Sequence, residues 1–291
     1  PPRPVARLMD SSQLFGICML AYLLSAAFYL GLLIFKQPRA GQIGMLLALA
    51  GVVVQTAAIG LRWYESYQLG HGHAPLTNMY ESLVFFAWCT TLLYLYLEYR
   101  YKARVVGAFV LPCAAVAMAY ASFSDRIDDR INPLIPALQS NWLIAHVVTC
   151  FIGYAAFAVA GGLGLMYLIK RRAVQRQAPA DSIGGSLPEL RVIDDLTHRT
   201  IVFGFLWLSA GIITGAVWAN EAWGTYWSWD PKETWSIITW FLYASTLHAR
   251  FTRGWSGRRI AWLAIAGFFA VFFTYFGVNF LLSGLHSYGS S

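Results

Sequence analysis

Charge is scarce in this chain. Asp, Glu, Lys and Arg make up 12% of its 291 residues while 58% are hydrophobic, a balance too apolar for an ordinary soluble domain. Cysteine is nearly absent as well: Cys18, Cys89, Cys113 and Cys150 stand apart, each within an apolar run. With no CxxC pair they read as small core hydrophobes, and with no CxxCH the chain carries no covalently attached c-type haem of its own. There is no internal repeat, which argues against a solenoid and against the two related halves of a secondary transporter. No cleavable leader is evident, because the first apolar run continues past Ser25, Ala26 and Ala27 and reads as a retained span. The start at Pro1 and Pro2 without Met is read as a trimmed end or as a fragment of a longer chain, a fusion among them.

What the chain has in abundance is long apolar runs. Runs near the length needed to cross the hydrocarbon layer occur at 14–35, 42–61, 79–97, 105–123, 142–169, 201–219, 235–249 and 260–283. The expected fold is therefore all-α, a polytopic transmembrane helical bundle of about eight spans forming one membrane domain over residues 1–291. The fifth span is long enough to overshoot the bilayer, and the seventh is short unless residues 231–234 form its first turn. Most of the 21 Lys and Arg fall in the loops after spans one, three, five and seven. The positive-inside rule then puts both termini, and the loop after span six, on the extracytoplasmic side. The net charge of +7 reflects this bias, not a nucleic-acid footprint. The cytoplasmic loop 170–199 contains a stretch rich in Pro, Gly and Ser at 178–189 and reads as a flexible connector. On the opposite side, 62–78 carries His71 and His73 and 124–140 carries Asp125, Asp128 and Asp129. Both are expected to pack over the loop between spans six and seven.

That loop, within 220–235, is the most informative segment. WGTYWSWDPKETW sets Trp223, Gly224, Tyr226, Trp227, Trp229 and Trp235 around Asp230, Lys232 and Glu233. Stiff aromatic faces bury a large flat ligand at little entropic cost, while the polar groups anchor its rim. The plain alternative is an interfacial aromatic belt. Asp230, Pro231 and Glu233 fit N-cap, N1 and N3 of the next helix, which gives Asp230 a structural duty of its own. Lys232 has no such competing duty and suits a ligand carboxylate, with snorkelling to the interface as its alternative.

Histidine narrows the ligand. His146 near the outer start of span five and His286 just after span eight share the face of the Trp loop, where two imidazoles would clamp an iron axially. Taken singly, each is also read as a hydrogen-bonded core or interface residue. His248 lies at the opposite, inner end of span seven with no second histidine expected at its depth, and an ionisable group within a span is a functional candidate by default. His198 is assigned to the charged cytoplasmic loop, and His71 and His73 to exposed or metal-contacting positions.

The run WGTYWSWDPKETWSIITWFLYASTLHAR resembles the WWD signature of haem-handling proteins in cytochrome c biogenesis. HAPLTNMYESLVF and GVNFLLSGLHSYG resemble the CcsA branch, also called ResC, or CcsB in some bacteria, of system II. The resemblance runs from His71 to Gly289. It implies that His146 and His286 ligate haem b (iron protoporphyrin IX) over the WWD loop and that His248 belongs to a transmembrane haem site completed by a CcsB/ResB-type membrane subunit. The activity it implies is haem transport and attachment to the CxxCH segment of apocytochrome c, a holocytochrome c synthase (haem lyase). The implied location is a bacterial plasma membrane, or the thylakoid membrane in a plastid. Two rivals stay open: a haem-delivery module similar to CcmC, which passes haem to a chaperone, and a bis-His b-type membrane cytochrome.

Overall fold

The structure is a computed structural model that describes residues 10–282; His286 lies outside these described residues. The described residues form eight long helices and no strand. They are α1 Ser11–Phe35, α2 Pro38–Gln68, α3 Met79–Tyr101, α4 Gly107–Phe123, α5 Asn141–Gln175, α6 Leu190–Trp223, α7 Pro231–Arg253 and α8 Arg258–Leu281.

Local sequence sets the helix ends. Lys36 turns left-handed at φ 55° after α1, and Pro38 opens α2 with its ring already at a helical φ. Asn78, Ser140 and Asp230 cap α3, α5 and α7 through their side chains. Odd-numbered helices start at one end of the bundle and even-numbered helices finish there. At that end Ser11 Oγ donates to Glu65 at 2.5 Å, Ser140 Oγ to Glu221 at 2.6 Å and Lys232 Nζ to Asn279 at 2.8 Å. The opposite end holds Glu98, which accepts from the hydroxyls of Tyr29 and Tyr94 and pairs with Arg104, and the Arg250–Asp194 ion pair at 2.9 Å.

Seven of the described helices are long and apolar enough to cross a membrane, and α7 is not one of them. Its polar start and its Thr239, Thr246, His248 and Arg250 dilute the apolar run expected over 235–249. Even so, α7 begins at Pro231 and has 23 residues, about 34 Å of helix. It packs antiparallel to α8, meeting it at Lys232–Asn279, while Arg250 and Gly257 both bond Asp194 at the other end. The chain is thus a multi-pass membrane protein.

The 170–199 connector is shorter than its composition suggested. Helix runs in from both sides and leaves only 176–189, which lies against α5: Leu187 is buried and Lys170 Nζ donates to Gly185 O at 2.9 Å. His198 is accordingly on α6, not in a loop, because the charged run from Arg191 to Arg199 keeps a helical buried face through Ile193, Leu196 and Thr197.

Apolar side chains gain little by leaving lipid for one another, so close backbone approach holds the central helices. On α5, a Cβ at Gly153 would lie 3.1 Å from Leu208 N, and on α6 one at Gly211 would lie 2.5 Å from Cys150 Sγ. At the site end, Arg62 Nε meets Glu81 at 2.8 Å with both side chains almost fully buried, and Arg62 also donates to Asp129 O at 2.7 Å. Glu81 in turn accepts from Thr77 N and Oγ1. Removing one partner strands the other charge, so Glu81→Ala should cost about 3–5 kcal/mol. A large loss of thermal stability in detergent, with Glu81→Gln intermediate, is the expected outcome; an unchanged melting curve would contradict it.

Candidate functional site

Where α3, α5, α6, α7 and α8 converge at the capped end, a cleft of about 1210 Å³, open mouth included, is lined chiefly by apolar side chains. It brings together His146, Tyr226, Trp227 and Lys232 of the residues expected from sequence. Leu76, Thr77 and Leu138 close one wall, so the two outer segments do pack beside the Trp loop.

His146 is held on several sides. Its Nδ1 lies 2.7 Å from Gly211 O, and since a carbonyl only accepts, Nδ1 carries the hydrogen and Nε2 is the nitrogen suited to ligation. The indole of Trp218 stacks on the ring at 5.8 Å and is itself fixed by Nε1 donating to Ala137 O at 2.8 Å. Behind the ring, Gly215 leaves no room for a side chain: a Cβ there would sit 2.5 Å from Nδ1. An imidazole with an oriented tautomer, backed by a carbonyl and facing an apolar cleft, is the donor arrangement that metal-binding histidines use.

Other members of the aromatic segment have different surroundings. Trp223 packs edge-on against Trp218 at 4.9 Å in a small cluster with Leu138 and Leu143, and Gly224 ends α6 in the left-handed conformation at φ 76°. Trp235 packs on Phe273 at 4.2 Å, and Trp229 is 71% exposed. The φ of Trp229 is 61°, which costs a bulky L-residue roughly 1–2 kcal/mol. The strain is held by the adjoining cap, in which Asp230 accepts from Lys232 N at 2.8 Å and Glu233 Oε2 accepts from Asp230 N and Ser228 N. Asp230 is therefore buried as an N-cap, as its spacing predicts. Lys232 does carry a structural duty, contrary to expectation, through its bond to Asn279.

His248 lies sixteen residues along α7 from Lys232, about 24 Å away, and is exposed on the bundle's outer face. It has a histidine nearer than expected: His198 packs edge-on against Phe251, three residues from His248, at 5.4 Å. Both rings therefore sit at the same end because α6 begins early.

Sequence reasoning missed Trp218, Gly211, Gly215 and Tyr275 as parts of the site. Tyr275 lines the cleft and shares a short hydrogen bond with Ser82. It sits in a five-residue π turn, Phe273–Gly277, of the kind that interrupts helices at functional positions. The spacing of Gly211 and Gly215, one helical turn apart and one turn before Trp218, was the available signal.

Comparison with known proteins agrees with this architecture. Residues 76–286 match the family model described as "Cytochrome C assembly protein". The chain is 41% identical to the cytochrome c biogenesis protein CcsA of Guillardia theta, over 94% of this chain and 95% of that one. It is 43% identical to the CcsA of Parasynechococcus marenigrum, over 87% and 88%. Among solved structures it resembles the cytochrome c haem lyase CcmF with a TM-score of 0.69 at 18% identity, covering 94% of this chain and 48% of that one, a likeness of fold to about half of the larger protein. The chain belongs to the cytochrome c assembly protein family, and its work is in cytochrome c biogenesis.

Proposed function

We propose that this chain receives haem b, presents it at the cleft and, together with a CcsB/ResB-type membrane subunit, attaches it to the CxxCH segment of apocytochrome c. The observation that carries the reading is His146, its tautomer set by Gly211 O and its ring stacked on Trp218 at the wall of an apolar cleft. His286 is the second ligand in this reading, on its motif. Tyr226 and Trp227 line the cleft with aromatic surface, while Trp223, Gly224, Trp229 and Trp235 belong to the same segment outside that lining. Lys232 has three N–H donors, so its bond to Asn279 is compatible with one to a propionate. Asp230 acts by holding the turn.

In the attachment, each cysteine S–H adds across a vinyl C=C of the haem: sulfur bonds one carbon, the proton goes to the other, and no electrons leave the system. Positioning and water exclusion are what the chain must supply, with no separate acid-base residue. The distribution of Lys and Arg supports a cleft on the extracytoplasmic side, and the family resemblance supports a bacterial plasma membrane or a thylakoid membrane. The whole chain then acts as a single membrane haem-handling domain.

Coexpression with a CxxCH reporter tests the proposal, read as haem that stays on the reporter after denaturation. Covalent haem should form when both subunits are present, and a complex that binds haem yet never transfers it would overturn the synthase reading. The inner histidine has its own test. His248→Ala should lower haem at the cleft in the complex, and this chain without its partner should hold less inner haem; a full His248-dependent centre in the isolated chain would contradict the shared ligand and favour a b-type cytochrome.

A further inference from the structure

Beside the cleft lies a second recess of about 1340 Å³, mouth included, between the end of α2, the segments 69–78 and 131–141, and the end of α6. We propose that it is a docking groove for an extended polypeptide, the thiol-bearing strand of the apocytochrome, which runs through it into the cleft. This rests on the attachment reading above and names the place where its protein substrate binds.

Continuity comes first. Leu76, Thr77, Leu138 and Leu143 line both recesses, so a chain lying in one passes over a shared wall into the other. The lining chemistry differs between them. The cleft is mainly apolar, whereas the groove presents His71, Gln139, Ser140, Asn141 and Glu221. Ser140 already donates to Glu221 and Gln139 Nε2 to Leu134 O, and the donors and acceptors that remain on these side chains match those of an extended backbone, which a porphyrin lacks. Exposed Trp63 and Tyr67 at its edge add the aromatic surface typical of protein-binding sites.

The groove is also preformed. His73 is buried between its two sides, with Nδ1 3.1 Å from Ala74 O and Nε2 3.0 Å from Asn132 O. Arg62 of α2 and Asn78 brace the turn just before 131–141 by donating to the carbonyls of Asp129 and Arg130. Asp128 steadies the turn, its carboxyl held below the usual range by the Arg130 N–H and the Asn132 amide. Walls fixed before binding spare the ordering cost that a mobile site would incur. A substrate whose two thiols must meet one face of a haem gains from such a fixed track, which sets its register.

The test uses the intact complex in lipid nanodiscs. A photoreactive benzoylphenylalanine replaces Tyr67 at the groove edge or, as a control, Leu20 on the outer face of α1. The probe is a biotin-labelled peptide with one CxxCH, beside its SxxSH analogue. Both peptides should crosslink from position 67 and neither from position 20, since docking precedes thioether formation. In parallel, Gln139→Trp should fill the groove and lower thioether yield about tenfold, the scale of one strong interface contact, while the haem absorbance is retained. Equal crosslinking at 67 and 20, crosslinks from 67 only to lipid or to this chain's own residues after 282, or full attachment by Gln139→Trp would each overturn the groove. Failure of the attachment reading looks different: the wild-type complex forms no thioether at all, while the crosslinks still report whether the peptide docks.

Discussion

His146→Ala should reduce holocytochrome c formation by roughly 100-fold or more, since even an outer partner of a metal-bound histidine is worth about 10–100-fold. The physical reason lies in how much of the structure is committed to that ring. A carbonyl, a stacked indole and a missing side chain all fix its plane and its tautomer, and alanine leaves the cleft without a nitrogen donor on that wall. Imidazole added to the medium should restore part of the activity, because the cleft stays open and the small ring replaces the missing ligand. The pair of measurements separates ligation from folding: a collapsed protein gains nothing from imidazole, and a variant that matures cytochrome normally without it would remove His146 from the site.

The second large effect is expected at a residue with no side chain to bind with, at the cleft wall beside His146. Gly215→Ala puts a methyl group 2.5 Å from the position now held by His146 Nδ1, so the ring must move off Gly211 O or tilt away from Trp218. Misplacing a reacting or ligating group by about 1 Å costs on the order of 100-fold, and haem bound at the cleft should fall accordingly while the protein still accumulates in the membrane. Gly60→Ala serves as the control, since nothing lies within 4 Å of its added methyl and a helix-interior Gly→Ala change is worth about 1 kcal/mol of stability. Equal haem content in the two variants would show that the packing behind His146 carries no function.

Local features were legible in the sequence and cross-helix ones were not. The turn at Asp230, Pro231 and Glu233 could be written down in advance because its donors and acceptors lie within three residues. Helices α1 to α6 and α8 followed from apolar run length. By contrast, Lys232 finds Asn279 forty-seven residues later, a pairing that no periodicity encodes. Trp218 looked like one more apolar residue near a span end, since only the arrival of α5 turns its face towards His146. His198 was assigned to a loop because charge density outweighed a helical period that the charges themselves obey. Span seven was legible at 235–249, short unless 231–234 formed its first turn, and α7 does begin at Pro231; its polar residues serve the cap, the threonine pairing with α8 and the Arg250–Asp194 bond.

The π turn in α8 bears on which length changes this family can accept. A turn widened by one residue holds one more residue than a regular α-helical turn and sets everything downstream back by roughly 100° about the helix axis. Asn279 meets Lys232 with that setback in place, and the Phe273–Gly277 segment is where it accumulates. Deleting a single residue there would let the helix relax into regular geometry with the amide of Asn279 still turned towards Lys232, because the lost residue and the lost setback cancel. The protein's tolerance to single-residue deletions in α8 should therefore be greatest within this turn.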